Sequence, residues 1–435
     1  MLFQLDICAG ERDAVMGSNL PGADAPAAGA PSPVPRTPST PQPTPTLHRH
    51  RHLGSIVAIG IVVVIVAATV GVGFQQHWFG GSSSGGGGCS NQELQGNGAQ
   101  FVLPLMTQWI SSYAGQTGNR VNYPAAGSGA GITDLEETTV DFAVTDDPLS
   151  ASEAAAMPGT VLTLPMTGSA LAIIYNVPGV SGHLNLSGAV IADIYLGKIT
   201  HWNDPAIAAN NTGVPLPSDP IQTVHRSDAA GTTFVLTDLL SQDSATWNHT
   251  VGKGISISWP TTPEEEAIKG NSNLLSYVQT TSDTIGYSDL TDVLISSTPV
   301  GYAAVQNPSG GWVVPTLANT ASAISDLSNE TTFPAASETS AWYQISMVNA
   351  PGAGDYPLAT FAYIFVFQNA SQGFAPTLVK TQVLLQWLGW ILTVGQSQSS
   401  GPNLYYVPLP HALVLNDQAG IQTITYGGGS VPACT

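Results

Sequence analysis

The stretch Val224-His225-Arg226-Ser227-Asp228-Ala229-Ala230-Gly231-Thr232-Thr233-Phe234 decides how this chain is read. Its small residues form a turn, and helix-like sequence follows to residue 241. A helix N-terminus leaves backbone N–H groups unpaired and carries the positive end of the helix dipole, so it favours an anion. Small residues let a ligand approach that backbone. Two further segments share the design: Gly96-Asn97-Gly98-Ala99-Gln100-Phe101, and Ala126-Gly127-Ser128-Gly129-Ala130-Gly131. One such turn is an ordinary cap. Three in one chain, one beside an arginine, point to an anion.

Around these turns the sequence alternates. β-rich runs at 120–123, 140–144, 170–176, 284–287 and 363–368 sit between helix-like stretches at 103–113, 188–196, 232–241 and 377–394. That rhythm predicts α/β layers. A fourth segment, Val140-Asp141-Phe142-Ala143-Val144-Thr145-Asp146-Asp147-Pro148-Leu149, reads as a strand running into an acidic turn. Adjacent acids before proline are, by themselves, solvated turn residues or caps.

The 435-residue chain carries a net charge of −19, and only 9% of its residues are charged. Soluble domains average about 25%. A nucleic-acid binder built on basic patches is excluded, and so is a highly charged disordered chain. The 43% hydrophobic content supports a sizeable core, and the length suggests two or three domains. Beyond residue 54 the bases are Arg120, Lys198, Arg226, Lys253, Lys269 and Lys380. Anion chemistry must draw on these or on uncharged donors. A surface so poor in Lys and Arg gains little positive charge in acid, so tolerance of low pH is expected.

Residues 1–52 read as a disordered, Pro-rich cytoplasmic tail ending in His48-Arg49-His50-Arg51-His52. The uncharged apolar run at 53–74 is long enough to span a membrane. The arginines on its N-terminal side orient it with the tail inside and the rest of the chain outside the cell. Residues 75–91 are a Gly/Ser-rich linker. Cys8 falls in the tail, whereas Cys89 and Cys434 bracket the exported body. Export permits a disulfide between them. Two unpaired thiols are the other reading, since sequence does not give the Cα separation.

Taken jointly, the four segments resemble the phosphate-binding component of the bacterial and archaeal ABC-type phosphate importer, the PstS-like family. The match extends through Ala192-Asp193-Ile194-Tyr195-Leu196-Gly197-Lys198-Ile199-Thr200-His201-Trp202-Asn203-Asp204-Pro205 and Tyr405-Tyr406-Val407-Pro408-Leu409-Pro410, and covers roughly residues 92–410. The resemblance implies a two-lobe, hinged periplasmic-binding-protein-like fold. Its first lobe would comprise 92–174 and 351–435, its second 175–350. It implies no enzyme and no cofactor. The partners implied are inorganic phosphate, the importer's permease subunits and, through 53–74, the membrane.

Carried over residue by residue, the resemblance makes Ser128 a donor through its N–H and hydroxyl. Arg226 gives a charge-assisted pair and is held by Asp228. Gly231 and Thr232 donate at a helix N-terminus, and Phe101 through its backbone. Asp146 accepts the proton that phosphate carries and sulfate lacks. Gln100 and Ala230 depart from the family's usual Thr and Ser. Gln100 still offers a donor, and Ala230 only its backbone N–H, so reduced affinity is expected. Trp202 and Tyr195 read as packing residues. The alternatives are a membrane-anchored phosphate sensor and a binder of sulfate or molybdate. A phosphatase on this fold would need a nucleophile and base, or metal ligands, that the sequence does not display.

Overall fold

The computed structural model describes residues 88–434, all within one compact unit. The tail, the apolar run at 53–74, most of the linker and Cys8 lie outside the described residues. Among the described residues, no helix is long and apolar enough to cross a membrane.

The main sheet has nine strands. They are β1 (Glu93–Gly98), β2 (Arg120–Asn122), β3 (Phe142–Thr145), β4 (Val161–Asn176), β5 (Gln222–Arg226), β6 (Glu265–Ile268), β7 (Thr284–Asp289), β8 (Gly301–Tyr302) and β9 (Ala359–Phe367). Their order is β2-β1-β3-β9-β4-β7-β5-β6, with β8 also beside β4. Four helices matter for the site: α1 (Leu103–Thr117), α2 (Ser128–Glu136), α3 (Gly231–Asp243) and α4 (Asn271–Thr280).

The strand β4 organises both halves. It is covered on both faces: the apolar run 170–175 and the more mixed 161–169, with Thr163, Thr167 and Ser169, are all buried, and only Asn176 is partly exposed. Residues 161–170 pair with β9 and 171–176 with β7. The β4–β9 register shifts where Pro165, which has no N–H to donate, faces Tyr363.

Two hydrophobic cores flank this strand. One gathers Leu94, Trp109, Phe142, Met166, Phe365 and Trp387. The other gathers Ile173, Trp202, Leu236, Leu274 and Tyr287. They define a first and a second lobe. Ala323, Ile324, Ala336 and Trp342 belong to the first core, so the expected second lobe, 175–350, does not hold together as one block. The helix Leu317–Glu330 and the chain after it return to pack on the first lobe, because its apolar face meets β4 and β9 there. Cys89 and Cys434 are joined by a disulfide, with Cα atoms 5.8 Å apart.

The cores also bury carboxyls. Both oxygens of Asp417 lack a hydrogen-bond partner. The side chain is 0% exposed and faces a small cavity lined by Leu164, Met166, Leu388 and Ile421. Burial pushes its pKa well above the ordinary carboxylate range. Burial likewise raises Asp147, Asp289 and, to about 6, Asp292. A carboxyl whose folded pKa is raised holds a proton that the unfolded chain has already released. The contribution of these groups to stability is therefore full below the unfolded value, roughly 4, and falls as pH rises toward the folded pKa values. Chemical denaturation is expected to give a more stable domain at pH 5 than at pH 8. Asp417→Asn should flatten part of that slope, by at most about 1.4 kcal/mol per pH unit. Stability that climbs from pH 5 to pH 8 would contradict this account.

Candidate functional site

The site lies where β1, β3 and β5 end and α2 and α3 begin. At the end of β1, Gly98 has φ +139°, and a Cβ there would fall 1.9 Å from the Val144 carbonyl oxygen. The close approach lets Ala99 N–H bond to that carbonyl at 2.8 Å, which fixes the turn carrying Gln100 and Phe101. Phe101 is buried, and its carbonyl accepts from the Tyr406 hydroxyl at 2.8 Å.

Arg226 ends β5 and is only 4% exposed. Its Nε and Nη2 donate to the two oxygens of Asp228 at 2.8 and 2.6 Å. Its Nη1 points at the Thr232 hydroxyl, 3.4 Å away. The guanidinium is thus held flat from behind, with its remaining donors turned toward the start of α3. Burial pushes the Asp228 carboxyl up, but the hydrogen bonds and charge of Arg226, together with the Gly270 N–H, outweigh it and hold it below the usual range. Tyr287 braces the same strand by accepting from Arg226 N–H at 3.0 Å.

Asp146 ends the segment after β3 and is 3% exposed, and Asp147 beside it is 1% exposed. By themselves adjacent acids before proline read as solvated turn residues or caps; here both side chains are buried. A Cβ on Gly231 would lie 2.6 Å from Asp146 Cβ. Glycine at 231 is what lets the N-terminus of α3 close onto this carboxyl. Burial pushes Asp146 up to about 8, against the opposing pull of the Arg226 charge and the Thr232 N–H. Its Oδ1 finds no partner within the protein, although it is buried among donors.

Ser128 opens α2 on the first lobe, and its hydroxyl accepts from Gly231 N–H on the second at 3.1 Å. Gly129 N–H likewise meets the Ala229 carbonyl at 3.3 Å. Ser128, Asp146, Arg226, Asp228, Gly231 and Thr232 are thus gathered in one place. Two expected members behave differently. Ala230 N–H is taken by the Ile255 carbonyl at 2.9 Å, so it has no backbone donor to offer. Gln100 turns its Oε1 to Asn271 N–H at 2.6 Å.

Tyr287, Asn271 and Asp147 are neighbours of the site that no local pattern marks, because each reaches it through tertiary packing. Trp202 and Tyr195 are packing residues, donating to the carbonyls of Asp283 and Val224. His225 stacks on Trp259 with ring centres 4.5 Å apart. Chemically, the cluster offers uncharged donors, one braced guanidinium and one carboxyl that keeps a proton near neutrality. That suits a small tetrahedral oxyanion bearing an exchangeable proton.

A family model described as a PBP superfamily domain matches residues 83–393. A Xylella fastidiosa (strain Temecula1) protein named phosphate-binding protein PstS is 36% identical over 330 residues, 75% of this chain and 84% of its own length. A protein of the same name from Methanocaldococcus jannaschii is 32% identical over 328 residues, 73% of this chain and 82% of its own. A solved structure of a high-affinity periplasmic phosphate-binding protein bound with phosphate superposes with a TM-score of 0.60 at 21% identity. It covers 75% of this chain and 93% of the other.

Proposed function

The chain belongs to the family of phosphate-binding proteins named PstS, and on that premise we propose that its two lobes close on inorganic phosphate outside the cytoplasm and deliver it to the permease subunits of an ABC-type importer. One observation carries the reading. The buried Arg226, braced by Asp228, and the N-terminus of α3 converge on the same point as Asp146. The arginine and the N–H groups supply positive potential without a positive surface, in a cleft where water does not compete.

The apolar run at 53–74 would tether the domain to the membrane, with residues 1–52 on the cytoplasmic side and the lobes outside. We read the protein as one that binds and releases, not as an enzyme. Phosphate-ester substrates are expected to show no turnover.

Calorimetric titration of the purified full-length chain with phosphate and with sulfate tests the reading. Phosphate is expected to bind and sulfate to bind at least tenfold more weakly at pH 8.5, where a bound carboxylate would repel it. Equal binding of the two, or binding of neither, would overturn it.

A further inference from the structure

We propose that Gln100 is a latch between the lobes, and that it governs how slowly the bound anion leaves rather than how fast it is captured. For its ligand this rests on the phosphate reading above.

The base of the latch is rigid. Ala99, before Gln100, is held by N–H donation to the Val144 carbonyl and by the Tyr123 hydroxyl on its own carbonyl at 2.8 Å. The Gln100 carbonyl accepts from Leu103 N–H at 3.0 Å. All of these partners sit in the first lobe.

The tip lies in the second. The Oε1 of Gln100 accepts from the N–H of Asn271 at 2.6 Å. Asn271 is the first residue of α4, whose Leu274 and Val278 pack in the second core. A first-turn N–H has no partner inside its own helix, so an acceptor arriving from outside is stabilising. The receiving turn is itself fixed. Gly270 N–H donates to Asp228 Oδ1 at 3.1 Å. Asn271 is 1% exposed, and its side-chain amide donates to Asp292 at 2.6 Å. The carboxylate that braces Arg226 and the side-chain amide oxygen of Gln100 therefore hold adjacent residues of one turn. Opening the lobes must break the Gln100 bond, whereas an anion entering open lobes does not meet it. Any donation from this side chain to an anion comes from Nε2, since Oε1 only accepts.

The test measures association and dissociation rates of phosphate by stopped flow on the full-length chain. Gln100→Ala is expected to speed dissociation on the order of 3- to 10-fold, the effect of one lost neutral hydrogen bond, with little change in association rate. Proline at the first helical position removes the N–H without straining the helix. Asn271→Pro is therefore compared with Asn271→Ala, which keeps that N–H. The proline variant should dissociate faster than the alanine variant, and the excess should vanish in the Gln100→Ala background. Additive effects across that cycle overturn the latch, as does a Gln100→Ala effect confined to association.

A readout without ligand separates this from the functional reading. Spin labels at exposed Thr107 and Ser276, introduced as cysteines with Cys8→Ser, report the distance between lobes. If the unsubstituted chain fails to bind phosphate, the functional reading falls. A closed population that shrinks in Gln100→Ala then still supports the latch, and an unchanged one overturns it.

Discussion

Replacing Arg226 with alanine is expected to weaken phosphate binding by roughly 10²- to 10³-fold, read by calorimetry at pH 7. The size follows from three losses that coincide. The anion loses its one buried cation, since Arg226 is 4% exposed. Asp228, half-buried, keeps its charge but loses both guanidinium bonds, and an unneutralised carboxylate beside the site repels the anion. The Arg226 charge also pulls the Asp146 pKa down, so its removal drives that carboxyl further toward the protonated form. Arg226→Lys should recover only part of the affinity, because an ammonium cannot span both oxygens of Asp228. An Asp228→Asn partner variant should lose less than Arg226→Ala, since it retains the cation. Phosphate affinity within threefold of the parent in Arg226→Ala would remove this residue from the site.

The second large effect concerns discrimination and depends on pH. Asp146 titrates near 8 in this closed arrangement. Below that pH it carries a proton and can donate to an oxyanion. Above it, the carboxylate can only accept, and sulfate has no proton to give. Sulfate affinity is therefore expected to fall as pH rises through about 8, while phosphate, which can bring its own proton, holds on better. Asp146→Asn removes the titration. It should cost phosphate roughly 10- to 100-fold, the worth of a charge-assisted hydrogen bond, and make sulfate binding independent of pH. Parallel titrations at pH 6.5 and 9 check both statements. A selectivity that is flat with pH in the parent would rule out Asp146 as the discriminating group.

The order of elements was legible from local pattern. The helix at 103–113 extends to Leu103–Thr117, and that at 232–241 to Gly231–Asp243. Neither has a side-chain N-cap, and both begin directly after the small-residue turns. The strand at 170–176 is only half of β4, because its earlier half, 161–169, lacks a turn signal but carries a proline and a glycine that interrupt the pattern. The return of residues 317–347 to the first lobe was hidden, since an apolar helix face does not state which core it will join. Much of the site was readable as residue types. Arg226, Asp228, Gly231 and Thr232 lie within seven residues of one another and meet through a single turn.

Low charge was the sequence's own information: with six bases beyond residue 54, Arg226 had few rivals as the anion's cation. The sequence also marked the turns, because their small residues and the helices that follow are local patterns, although the bonds that fix them, such as Ala99 N–H to the Val144 carbonyl, are remote in sequence. Only the tertiary structure decided where Asp146 keeps its proton, which carbonyl takes the Ala230 N–H, whether Cys89 meets Cys434, and where Gln100 points. Each depends on groups remote in sequence. Desolvation of Asp146 comes from both lobes closing over it, and the partner of Gln100 lies 171 residues away. Burial and cross-lobe pairing belong to the packed chain as a whole, and no local pattern encodes them.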